Sequence, residues 1–181
     1  MVQPIRSKEK IDRMKQALKA KDEKYYIMWL IGCNTALRVS DILNLKVWNI
    51  KEERVEIREK KTNKLKRFGF NDKIQRELME YCERFDSDDA YIIPSRKGTN
   101  QPISRVQAYR VLQDAAKIAG LKQNEIGTHT MRKTYGYWHY KKYHDVAMLQ
   151  QTLNHSSPAV TLTYIGITED IIIDQMKALD L

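Results

Sequence analysis

Between Trp48 and Phe70 the hydrophobic period of this sequence falls from the helical spacing to two, and the helical spacing returns directly afterwards. Val55 and Ile57 alternate with Glu56 and Arg58, and Phe68 alternates with Arg67 and Gly69, as half-buried strands do. The polar segment between them, "KKTNK", suits a tight exposed reversal. So short a sheet is marginal alone and needs helices to pack against.

Those helices are legible on both sides. Ser7 is placed to cap "KEKIDRMKQALKA", with Ile11, Met14, Ala17 and Leu18 on one face, and "DEKYYIMWLIGCNTA" follows as a more buried helix. "VSDILNLKVWNI" gives a short helix leading into the extended stretch. Beyond the sheet, "DKIQRELMEYCERF" is helical, and "IIPSRKGTNQPIS" is a loop holding Arg96 and Lys97. Ser104 caps "RVQAYRVLQDAAKIAG", which Gly120 ends. Further helices are expected near "THTMRKTYGYWHYKK", "DVAMLQQTL" and "SSPAVTLTY", where Ser157 and Pro158 form an N-cap and first-turn pair. "EDIIIDQMKAL" closes the chain as an apolar-rich helix. The expected fold class is α+β: a mostly helical single domain with a small three-stranded antiparallel sheet.

At 181 residues and 42% apolar content, one core is affordable. A formal charge of +9 favours a polyanionic partner, nucleic acid or an anionic membrane surface. The longest apolar run, Tyr25 to Cys33, is far below the roughly 18 residues that suggest a membrane span. The N-terminus carries no signal-type apolar stretch, so the sequence reads as a soluble, cytoplasmic protein. Cys33 and Cys82 lack metal-site spacing and fall in apolar helical patterns, as reduced core residues do.

Four places could carry chemistry. In "NTALRVSDIL", Arg38 stands among core-facing residues with Asp41 three positions on. The pair is either a local ion pair or an arginine held by a carboxylate so that its planar fork can grip a phosphate. The hairpin gathers Lys60, Lys61, Lys64, Lys66 and Arg67, either solvated surface charge or contacts to a nucleic-acid backbone. His129 and Arg132 share one helical face near a helix start, where an anion is also favoured, though such pairs arise by chance. Finally, Asn154-His155 precedes a capped helix, and Tyr164 stands at that helix's end. A tyrosine there is ordinarily a half-buried residue with a satisfied hydroxyl.

Taken in order, "ALRVSDILNL", "KTNKLKR", "HTMRKT" and "LNHSSPAVTLTYIGI" resemble the boxes of the tyrosine recombinase, or phage integrase, catalytic domain. The resemblance covers nearly the whole chain from about Ile27 onward. It implies that Tyr164 cuts a DNA strand through a 3′-phosphotyrosyl bond and frees a 5′ hydroxyl, without ATP, metal or other cofactor. It implies that Arg38, Arg132 and His155 stabilise charge on the phosphate oxygens. Lys61 matches the proton donor to the leaving oxygen, with Lys64 as the neighbouring choice, and His129 assists in accepting the tyrosine proton. Asp41 would orient Arg38. Lys60, Lys64, Lys66, Arg67, Arg96 and Lys97 would contact double-stranded DNA.

The resemblance further implies a chain that is catalytic domain throughout, 1–181, with a lead-in helix in 1–24. A C-terminal helix at 168–181 would pack on its own core or into a neighbour within a DNA-bound tetramer. Only about 25 residues precede the first expected catalytic-domain helix, so the family's N-terminal DNA-clamping domain is expected to be absent. Lys133 stands where many members have a second histidine. Site-specific recombination or integration of a mobile element is the function implied. The enzymatic rival is relaxation of type IB topoisomerase character, and the alternative of another class is a catalytically inactive DNA-binding remnant or regulator.

Overall fold

The computed structural model describes residues 2–52, 54–167, 173 and 176–179. Helix α1 (Lys8–Lys21) begins where Ser7 accepts a hydrogen bond from the Lys10 amide. Asp22 then caps α2 (Glu23–Thr35), which lies almost wholly inside the core, with Trp29, Ile27, Met28 and Ile31 excluded from solvent. The short helices α3 (Val39–Ile42) and α4 (Val47–Lys51) lead to a hairpin of β1 (Val55–Arg58) and β2 (Leu65–Phe68). After it come α5 (Asp72–Cys82), α6 (Arg105–Ile118), α7 (Thr130–Tyr143), α8 (Val146–Leu153) and α9 (Pro158–Ile165).

The mostly helical architecture with one small antiparallel sheet follows the sequence expectation, but the sheet has two described strands rather than three. The stretch before Val55 is helical, because Val47 and Ile50 bury one face of α4 and the Asn49 side chain accepts from the Lys46 amide. The other extended segment of this region makes only isolated bridges, Lys46 with Tyr91 and Pro94 with Pro102. Prolines lack the N–H that a ladder needs, so no third strand forms there. The expected C-terminal helix at 168–181 lies largely outside the described residues.

Helix α7 organises the rest. A side chain at Gly32 would meet Met131 Sδ at 2.6 Å, and one at Gly136 would meet Ile165 at 2.6 Å, so two glycines let α7 lie close against α2 and α9. A small second core of Ala36, Leu149, Leu153 and Ile165 fills the space among α2, α8 and α9. The N-terminal segment is tied to the same region: Ile5 N–H donates to Thr134 Oγ1 at 3.0 Å, and Arg6 donates to the Gly166 carbonyl at 2.6 Å. Among the described residues, no helix is long and apolar enough to cross a membrane.

Candidate active site

The backbone ends of several elements meet above the second core. Ala36, in a left-handed conformation at φ 57°, ends α2 and turns the chain so that Arg38 precedes α3. His129 is the N-cap of α7, and Arg132 follows one turn later, buried with 2% of its side chain exposed. Asn154 ends α8 at φ 50°, His155 lies in the connection, and Ser157 and Pro158 start α9 as expected. Tyr164 stands in the last turn of α9, which Gly166 closes at φ 75°.

Five of the expected residues come together. His129 Nδ1 is 3.2 Å from the Tyr164 hydroxyl, and the His155 ring lies edge-on to the tyrosine with centroids 4.8 Å apart. His155 Nδ1 is 3.1 Å from Thr161 Oγ1, which fixes the ring and leaves its other nitrogen for a ligand. Lys133 Nζ sits 4.8 Å from the centre of the Tyr164 ring. Arg132 donates to the Ala36 carbonyl and, at 2.5 Å, to the Leu153 carbonyl, so it closes the C-terminal ends of both α2 and α8. Burial raises the Tyr164 hydroxyl above its ordinary range, with Arg132 and Arg38 pulling against that rise. Burial, then Arg132 and Arg38, lower the His155 imidazole to about 4, so it is neutral at pH 7.

Arg38 is not paired with Asp41, as the sequence suggested. Its Nη1 lies 2.7 Å from Glu59 Oε1, and Glu59 has no exposed side-chain surface. The same oxygen is 3.8 Å from Arg132 Nη1, while Glu59 Oε2 accepts from Thr62 Oγ1 at 2.6 Å and from Asn154 Nδ2 at 3.1 Å. Burial would raise this carboxyl, but the bonds from Arg38, Thr62 and Asn154 outweigh it and hold the group at about 2. Asp41 is buried too, and it accepts from the Lys60 amide at 2.9 Å, so it holds the hairpin rather than the arginine. Its own carboxyl is raised by burial, with the Lys60 N–H opposing.

The hairpin lysines separate. Lys60, Lys61 and Lys64 are exposed in the turn, and Arg67 is exposed beside Glu56 at 2.7 Å. Lys66, expected among the DNA contacts, is instead buried, and its Nζ donates to the Thr152 carbonyl at 3.0 Å. Burial and Arg132 lower it to about 8, Glu59 opposing. The register explains the placement: Val55 pairs with Phe68 and Ile57 with Lys66, so Lys66 lies on the inward face. Arg96 and Lys97 are exposed elsewhere. Arg96 is 3.5 Å from Asp22, at the opposite end of α2 from Arg38, and a 13-residue helix is about 20 Å long.

Glu59 was missed by sequence reasoning, and Lys66 and Asn154 were named there without their inward-facing roles. The signal for the first two was present, since the alternation that turns Val55 and Ile57 inward also turns Glu59 inward, and that of Phe68 turns Lys66 inward. Among the described residues, no group of three His, Cys, Asp or Glu is placed to hold a metal ion.

A family model described as "Phage integrase family" matches residues 6–170. The chain is 45% identical over 171 residues to the probable integrase/recombinase YoeC of Bacillus subtilis (strain 168), covering 94% of this chain and 92% of that protein. Its fold is similar to the crystal structure of XerA recombinase, with a TM-score of 0.77 at 21% identity, over 98% of this chain and 64% of that one. A similar likeness, TM-score 0.74 at 17% identity over 97% of this chain and 53% of the other, holds for XerH site-specific recombinase bound to palindromic difH substrate in a post-cleavage complex.

Proposed function

The chain belongs to the phage integrase, or tyrosine recombinase, family, and from that premise we propose that it cleaves and rejoins DNA strands through a phosphotyrosyl intermediate at Tyr164. The observation that carries the reading is the Tyr164 hydroxyl held 3.2 Å from His129 and against His155, beside Arg132 and Arg38. A tyrosine packed for stability alone needs no such company.

In this reading the scissile phosphate sits over Tyr164. Arg38 and Arg132, with His155 beside them, take the charge that grows on its non-bridging oxygens. The hydroxyl, raised by burial, gives its proton to His129, whose imidazole is itself held below its ordinary range by burial and by Arg105, Arg132 and Lys133. The tyrosine oxygen bonds to phosphorus, the bond to the 5′ oxygen breaks, and Lys61 supplies that oxygen's proton from the exposed turn. Resealing runs the same steps in reverse, with a 5′ hydroxyl as nucleophile, and the energy of the broken ester is kept in the phosphotyrosyl bond. Lys60, Lys64 and Arg67 contact the backbone close to the site, and Arg96 and Lys97 contact it farther along the duplex. The chain acts as a catalytic domain that assembles on DNA with further copies.

The test is incubation with supercoiled plasmid in EDTA at low salt, beside Tyr164→Phe, scoring relaxation and SDS-stable protein–DNA adducts. Adducts and relaxation from the wild type alone are expected. Equal behaviour of the two proteins in both assays, with DNA binding intact, would leave a non-catalytic DNA binder as the better reading.

A further inference from the structure

The hairpin that presents Lys61 has strands of four residues each, too little to hold a turn in one place by itself. Three hydrogen bonds tether it, two of them to buried carboxylates. Asp41 accepts from the Lys60 amide, Glu59 accepts from the Thr62 hydroxyl, and Lys66 donates to the Thr152 carbonyl. Lys61 therefore lies between two residues that are each tied to a buried carboxylate.

Glu59 reaches beyond the turn. One oxygen faces Arg38 and Arg132, and the other joins Thr62 to Asn154, the residue before His155. One fully enclosed carboxylate thus touches both arginines, the turn and the segment leading to His155. A solitary buried anion is costly, and here four partners from four different segments compensate it, so displacing any one disturbs the remaining three. We propose that Glu59 is a positioning residue that couples the phosphate-gripping arginines to the turn bearing Lys61, so that the proton donor is in register only when Arg38 is. The inference rests on the phosphotyrosyl reading. It adds a residue that touches neither phosphate nor tyrosine but sets the distance between the two ends of the reaction.

A leaving group that needs no proton separates this role from plain structural support. In a duplex whose scissile 5′-bridging oxygen is replaced by sulfur, the P–S bond breaks to give a thiolate, which departs unprotonated because a thiol's pKa lies near 8.5. Thr62→Val, on the exposed turn, cuts the tie between turn and carboxylate while leaving Glu59 against the arginines. It is expected to slow single-turnover adduct formation about tenfold with oxygen and to leave the sulfur substrate near the wild-type rate. Glu59→Gln is expected to lose about 10²-fold with oxygen and to recover part of that with sulfur, the remainder being its effect on the arginines. Equal losses on both substrates for Thr62→Val, or no loss for Glu59→Gln, would overturn the coupling. Hydrogen exchange of the full chain gives a readout independent of chemistry: Thr62→Val should speed exchange in residues 59–64 and leave α7 unchanged, and an unchanged turn would overturn the proposal. Wild-type protein that forms no adduct with either substrate would instead sink the phosphotyrosyl reading, and the exchange result alone would then decide whether Glu59 holds the turn.

Discussion

The two faces of the β1–β2 hairpin carry the same kinds of side chain and treat them in opposite ways. Inward, Glu59 and Lys66 are buried, and each is engaged with a named group on another element. Outward, Lys60, Lys61 and Lys64 stand in solvent. The same contrast extends across the site, where Arg132 is enclosed and closes two helix ends while Arg96 and Lys97 lie on an exposed loop. Enclosed charge has lost its water and is fixed in place, so it can orient a reacting phosphate. Exposed charge is screened and mobile, so it serves affinity and encounter. The inner charges should therefore govern rate and stability, and the outer ones, apart from Lys61 as the proton donor, binding.

The largest effect expected from that division is at Arg132. Arg132→Ala should reduce adduct formation about 10²- to 10³-fold and, by stripping the Ala36 and Leu153 carbonyls of their donor, lower stability by about 1–3 kcal/mol. Low-salt DNA affinity should change little. Single-turnover cleavage, urea denaturation and a binding titration measured together would break the comparison if affinity fell as far as rate.

Acid sharpens it next. His155 ionises near 4 in the folded chain against an ordinary 6.5, so the unfolded chain takes the proton first and stability falls as pH drops from about 6.5 to 4. His129 and His139, lowered mainly by burial, add to that limb. Glu59 is held near 2 against 4.5, so its stabilisation is present above about 4.5 and is lost as pH falls toward 2. Urea midpoints between pH 7 and 3 should decline in these two steps, and His155→Gln should flatten the upper one. A decline that is unaltered in His155→Gln would mean that the imidazole is not enclosed as described.

Much of this arrangement was legible in the sequence, and the division between faces explains what was not. Helix starts at Ser7, Ser104 and Ser157 were readable because capping is local: a side chain bonds an amide three residues on. The order Arg38, His129, Arg132, His155 and Tyr164 was readable because the motifs are contiguous in the chain. Partners across elements were not. Asp41 lies three residues from Arg38 and was the natural candidate for its counter-ion, yet Glu59, 21 positions away, takes that place because the hairpin folds its inner face over α3. Lys66 was grouped with its neighbours by composition, whereas period-two geometry sets it apart from them. The third strand failed for a local reason that could have been weighed, the proline on each side of the bridge between residues 94 and 102.

The smallest effect expected is at the outer lysines, and it is the one that tests the division most directly. Each lysine that neutralises a phosphate releases counterions, so the logarithm of the binding constant falls with the logarithm of salt by about 0.9 for every such contact. Lys60→Gln with Lys64→Gln removes two exposed ammonium groups without touching any buried partner, because the Lys60 tie to Asp41 runs through its backbone amide. The salt slope should become shallower by about 1.8, and adduct formation from the bound complex at saturating protein should keep its wild-type rate. Arg96→Gln with Lys97→Gln should flatten the slope by a similar amount, but only on duplexes long enough to reach the far end of α2. A fall in the bound-state rate for the Lys60 and Lys64 pair would place these two lysines in the chemistry beside Lys61, and the hairpin would then act as one unit rather than two faces.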